Sequence, residues 1–207
     1  MTKEHNNITD VSIRFENNLY NEKFVKTLDL SGIEIFDTYE SNDTSLLNDS
    51  NSFQTVWFKN IDRLMGMIPG NIKIKNHHLI DIGSGLGFST VYFKEKYDFK
   101  TYQGFDYDLK LVQLSNEISK NIYENDNIKF FQSDASEYLL DSEKSYILFI
   151  FNSFGKKTLQ KFISNNLDSL KNNNSIILYC NDHHYAEIKG HTNFIRNDYF
   201  NLSCFIF

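Results

Sequence analysis

The chain has 207 residues, 41% of them hydrophobic with 19 Phe and 12 Tyr, and a formal net charge of −6. That length suits a core able to bury roughly 70% of the unfolded surface without staples. An acidic balance excludes an overall basic field of the kind that draws nucleic acid or anionic lipid, so neither a nucleic-acid partner nor a membrane partner is expected.

Cys180 and Cys204 sit inside apolar runs, which points to buried thiols rather than a disulfide framework. The stretch Met1 to Asp10 lacks the basic start and apolar centre of a signal peptide, and no apolar run reaches the roughly 18 residues of a membrane span. A cytoplasmic location is the expectation.

In chain order, scattered apolar positions (Leu19, Phe24, Val25, Leu28) predict a weakly marked helix over about 17–29. Residues 31–52 read as a loop rich in Ser, Asn and Asp, long enough to be functional or mobile. Phe53, Val56, Trp57, Ile61, Leu64, Met65 and Ile68 then share one face at helical spacing, which predicts a helix over 53–68 stopped by Pro69 and Gly70.

From residue 78 the pattern alternates. Strands are predicted at 78–82, 101–106, 127–131, 146–151 and 175–180, with helices at 87–97, 109–123 and 157–171. The run Tyr146 to Phe151 is apolar without interruption, as in a central strand buried on both faces. Segments at about 192–196 and 201–207 have no helix between them and read as an antiparallel closing pair. The fold class is therefore α/β, a doubly wound and mostly parallel seven-stranded sheet with an antiparallel C-terminal strand pair and a helical N-terminal cap. Residues 1–71 would be the cap that shapes an acceptor pocket, and 72–207 the ligand-binding domain.

The stretch His78 to Thr90 carries most of the information. An apolar run ends on Asp81, glycines follow at Gly83, Gly85 and Gly87, and helix-compatible residues resume at Phe88. A dinucleotide fold wants Gly-x-Gly-x-x-Gly feeding a pyrophosphate to a helix N-terminus. Here the third glycine comes one residue early, and Asp81 would repel a pyrophosphate while attracting a cation.

This stretch resembles the first motif of the class I S-adenosylmethionine-dependent methyltransferases. The resemblance implies S-adenosyl-L-methionine as cofactor, held at its methionine part by Asp81, Gly83, Ser84, Gly85, Gly87 and Phe88. Asp106 ends the second strand, where a carboxylate can accept both hydroxyls of a ribose, and Tyr107 could stack on an adenine. Asp134 matches the family's acidic residue on the adenine amino group, and Ala135 would leave its N–H free for the ring. Asp81, Asp106 and Asp134 thus fall at the ends of successive strands.

Asn152-Ser153-Phe154-Gly155 ends the fourth strand. It resembles the Asn/Asp-Pro-Pro-aromatic motif of amino-group methyltransferases, with Ser153 in place of the first proline, and also the strand end of class I histone-lysine methyltransferases. That implies Asn152 and Phe154 at the methyl group, with Asn152 also touching the cofactor. His183, after the fifth strand, is a candidate general base. The Asp182-His183-His184 cluster lacks zinc spacing, so no metal is expected. Tyr39, Glu40 and Trp57 are candidates for acceptor or methionine contacts.

The expected activity is methyl transfer to an O or N atom of a small-molecule or sugar acceptor. A protein acceptor, with a lysine or glutamine side chain methylated, is one alternative, and a non-catalytic cofactor-binding module is another.

Overall fold

The protein's structure, a computed structural model, describes residues 10–28, 30, 38, 39, 53–123 and 128–207. Its first helix, α1 (Val11–Val25), starts and ends earlier than the apolar spacing predicts. The start is set by Asp10, whose side chain accepts the backbone N–H of Ser12 at 2.9 Å and so satisfies one of the helix's open donors.

The helix predicted over 53–68 is shorter in the structure. Phe53–Gln54 pairs with Thr38–Tyr39 as a two-residue antiparallel ladder, and α2 (Phe58–Met65) begins only afterwards. The reason is tertiary: Asn21 of α1 donates to Val56 O at 2.7 Å and accepts from Phe58 N–H at 2.9 Å, holding the chain extended up to Trp57. Trp57 is buried and donates its indole N–H to Asn18 at 3.0 Å.

The main sheet has seven strands: β1 (His78–Ile82), β2 (Thr101–Asp106), β3 (Ile128–Gln132), β4 (Tyr146–Phe151), β5 (Ile176–Cys180), β6 (Asn193–Asn197) and β7 (Leu202–Ile206). Their order is β3-β2-β1-β4-β5-β7-β6, with β7 alone reversed, so that it pairs antiparallel with both β5 and β6. The order reverses between β1 and β4, which pair directly with Ile82 opposite Ile150. In such sheets the crevice at the carboxyl ends of these two strands is where ligands bind.

Helices α3 (Phe88–Lys96) and α4 (Leu109–Ile122) join α2 on one face, and α5 (Lys156–Asn172) with the short α6 (Ala186–Lys189) covers the other. In α2, the residues Phe58, Ile61 and Leu64 are completely buried in the core beneath that face. Phe24 of α1 packs edge-on against Phe58 and Tyr92, which stack with ring centroids 4.7 Å apart. Asp62 ties the layer together, accepting the hydroxyls of Tyr92 at 2.8 Å and Tyr97 at 2.7 Å.

No helix forms between β3 and β4. Instead Tyr138 stacks near Phe105 at 4.6 Å, and Asn166 of α5 pins the segment by accepting from Leu140 N–H at 2.7 Å and donating to Tyr138 O at 2.9 Å. Among the described residues no helix is long and apolar enough to cross a membrane. Cys180 and Cys204 are free, buried thiols, both pushed up to about 12 by burial.

Candidate cofactor and acceptor site

β1 ends in a turn whose three glycines all take positive φ: Gly83 at 71°, Gly85 at 55° and Gly87 at 78°. Space as well as backbone demands glycine here. A Cβ on Gly83 would lie 2.4 Å from the Ser153 Cβ, and one on Gly87 would lie 2.4 Å from the Phe130 ring. The turn is fastened to β2, because Phe105 O accepts the N–H groups of Gly83 at 2.8 Å and Ser84 at 2.9 Å. α3 opens directly on this turn with Gly87 as its N-cap, which aims helix N–H groups and the positive dipole end toward the crevice.

Asp81 is buried beneath the turn. Its Oδ2 accepts from Ser89 Oγ at 2.6 Å and Thr90 Oγ1 at 2.8 Å, both in the first turn of α3. Burial pushes its carboxyl up to about 6, opposed by these hydrogen bonds and reinforced by the nearby Asp106. Among the described residues its bonded side-chain partners are hydroxyls and not cations, so a cationic ligand would offset the cost that burial places on the charged form.

Asp106 is also buried, and burial raises its pKa against the pull of three backbone N–H groups. Its Oδ2 accepts from Gly85 N–H at 3.0 Å and its Oδ1 from Asp108 N–H at 3.0 Å, so it holds the glycine turn in shape. Four acceptor sites against three backbone N–H donors leave room for a ligand hydroxyl. The alternative role as N-cap of α4 belongs to Asp108, which accepts from Lys110 N–H at 2.9 Å. Tyr107 is half-buried beside it, and its carbonyl accepts from Gln132 Nε2 at 2.9 Å.

Asp134 lies one turn further, exposed, with Oδ1 accepting from Ser136 N–H at 2.7 Å. Ala135 is buried in the core of that face. Ser133 N–H donates to Asp106 O at 3.0 Å, joining the ends of β2 and β3. The structure therefore groups Asp81, the glycine turn, Asp106, Tyr107 and Asp134 along adjacent strand ends.

On the other side of the switch, Asn152 follows β4 with φ 49°. Ser153 donates to Ile82 O at 2.6 Å, binding the ends of β4 and β1 together. Phe154 and Phe88 are both buried in the hydrophobic core, on opposite faces of the sheet. His183 is exposed in the turn after β5, its N–H donating to Asn181 O at 2.8 Å. Of the N-terminal candidates, Glu40 lies outside the described residues, Tyr39 is described in its backbone alone, and Trp57 packs on α1.

Two residues that sequence reasoning missed stand at this end. Gln54 accepts from Asn152 Nδ2 at 3.4 Å, and Asn181 donates to Asn152 Oδ1 at 3.2 Å. The only sequence signal for Asn181 was its place just after a strand, as for Asn152. Among the described residues no group of three or more His, Cys, Asp or Glu side chains could hold a metal ion.

No protein-family model matches the chain, and no curated protein sequence does. Solved structures do. Phosphoethanolamine N-methyltransferase 1 of Haemonchus contortus, bound to phosphoethanolamine and S-adenosylhomocysteine, is 18% identical with a TM-score of 0.42 over 58% of this chain and 24% of its own. Geranyl diphosphate C-methyltransferase of Streptomyces coelicolor, also holding S-adenosylhomocysteine, is 13% identical with a TM-score of 0.46 over 59% and 44%. A S-adenosylmethionine-dependent methyltransferase of Geobacter sulfurreducens in complex with S-adenosylhomocysteine is 16% identical with a TM-score of 0.41 over 58% and 45%. The chain spans less than half the length of each of these proteins. Its own strand order puts the glycine turn at the switch point of a doubly wound, mostly parallel seven-stranded sheet that closes in an antiparallel pair.

Proposed function

We propose that the protein is a S-adenosylmethionine-dependent methyltransferase acting on an N or O atom of a small-molecule or sugar acceptor. The observation that carries the reading is the buried Asp81 under a three-glycine turn at the switch point, whose carboxylate is bonded to the hydroxyls of Ser89 and Thr90 and, among the described residues, to no cation. A ligand bearing an ammonium and a sulfonium supplies that cation.

The residues present fit such a cofactor. The positive φ of Gly83, Gly85 and Gly87 would shape the turn that receives its methionine part, Ser84 sits within the same turn, and Asp106 would receive ribose hydroxyls beside Tyr107. Asp134 and Ala135 would border the adenine. The cofactor supplies an already activated methyl group, so the chain's task is to bind, orient and exclude water. Asn152 would orient the acceptor, a reading supported by its place at the end of β4, next to Ser153, which packs against Gly83. Residues 1–71 would shape the acceptor side, a reading supported by the bond from Asn152 to Gln54. Phe154 would act through packing, and His183 through solvent.

Calorimetric titration with S-adenosylmethionine and, separately, NAD tests this. The former binds and the latter does not, and Asp106→Ala weakens binding at least tenfold. Binding of NAD alone, or of neither, would sink the proposal.

A further inference from the structure

Two asparagines follow adjacent parallel strands in the same left-handed conformation, Asn152 with φ 49° after β4 and Asn181 with φ 59° after β5. Their amides join head to tail. Asn181 Nδ2 donates to Asn152 Oδ1 at 3.2 Å, and Asn152 Nδ2 donates onward to Gln54 Oε1 at 3.4 Å. That polarity leaves Asn181 Oδ1 at the end of the series. The residue is only 6% exposed, yet this oxygen has no hydrogen-bond partner among the described residues.

A buried carbonyl without a donor is costly, and native structures rarely leave one without a reason. Rotating the amide would sacrifice the bond to Asn152. Backbone movement is also opposed: the next residue, Asp182, donates its N–H to Asn201 O at 3.2 Å and accepts from Arg196 Nε at 2.8 Å, Arg196 Nη2 at 3.0 Å and Ser203 Oγ. These bonds fix the end of β5 to β6 and β7. The orphaned oxygen is thus held in place beside the residue that would orient the acceptor.

We propose that Asn181 is a specificity-determining residue, whose Oδ1, with the remaining lone pair of Asn152 Oδ1, receives two N–H donors of a primary amine. That this amine is the methyl acceptor rests on the reading above. Donor count makes the selection. A hydroxyl has one hydrogen and leaves one carbonyl unsatisfied, while a carboxylate has none and sets oxygen against oxygen. The two oxygens accept from the amine whether it is neutral or an ammonium, so donor count makes the selection.

The test uses the full chain labelled with nitrogen-15, titrated with tyramine and with 4-(2-hydroxyethyl)phenol, its alcohol counterpart, while the side-chain amide resonances of Asn152 and Asn181 are followed. Tyramine shifts the Asn181 resonance in a saturable way, and the alcohol binds at least tenfold more weakly. Asn181→Gly, which tolerates the left-handed backbone, loses at least tenfold in tyramine affinity. Equal response to the two probes, no response to tyramine, or unchanged affinity in Asn181→Gly would overturn the proposal. S-adenosylmethionine is titrated into the same samples. A saturable amine response without cofactor binding would uphold the amine site and overturn only its role as a methyl-acceptor site.

Discussion

Asp81 concentrates the chemistry of the site in one side chain. Its folded value of about 6 lies above the ordinary 3.8 because of burial, so the folded state holds a proton that the unfolded state releases earlier. Stability is therefore fully present below about pH 4 and falls as pH rises to about 6, by about 3 kcal/mol, levelling off above. Asp81→Asn removes this slope, which chemical denaturation at a series of pH values reads directly. A cationic ligand favours the charged form, so its affinity rises with pH toward 6 by up to tenfold per pH unit, and the Asn variant flattens that dependence too. A pH-independent affinity in the wild-type protein would show that no cation sits near Asp81.

At the scale of elements, the glycine turn and the end of β4 are one unit. Gly83 has no room for a Cβ because Ser153 occupies the space, and Ser153 is held there by its bond to Ile82 O. Gly83→Ala accordingly destabilises by about 2–4 kcal/mol, the sum of left-handed strain and overpacking. Adding Ser153→Gly relieves the overpacking part, so the double variant is more stable than the sum of the two single changes by about 1 kcal/mol. Strict additivity in urea melts would disprove the contact. The glycines and the strand-ending carboxylates were legible from spacing alone, since strand, turn and helix follow from local pattern. The start of α2 was not legible. Asn21 and Phe58 are distant in sequence, and only their hydrogen bond decides that residues up to Trp57 stay extended.

For the whole molecule, the N-terminal segment and the sheet are energetically joined. α2 covers the core face near β5 and β7 with completely buried Phe58, Ile61 and Leu64, and Asp62 is bonded to Tyr92 and Tyr97 of the following segment. A fragment of residues 72–207 would bare that apolar surface and leave buried hydroxyls without their acceptor, so it should not melt cooperatively. Circular dichroism decides this, and a cooperative transition near that of the full chain would count against it. The full chain should also gain stability from S-adenosylmethionine, by about 2.7 kcal/mol at a concentration a hundred times the dissociation constant. A thermal shift of roughly 5–10 °C is the corresponding readout.

The sequence by itself determined the alternation of strands and helices, the unbroken central strand, the antiparallel ending and the glycine turn with its flanking carboxylates. Each of these depends on neighbours a few residues apart, where periodicity and backbone preference act. Only the tertiary structure decided which strand ends meet. It set Asn181 beside Asn152, brought Gln54 to the same amide series, turned Asp106 onto the Gly85 N–H and buried Asp81 deeply enough to raise its pKa. Hydrogen bonds and desolvation depend on position in space, and residues 29 or 98 apart in the chain share a bond only because the order of strands brings them there.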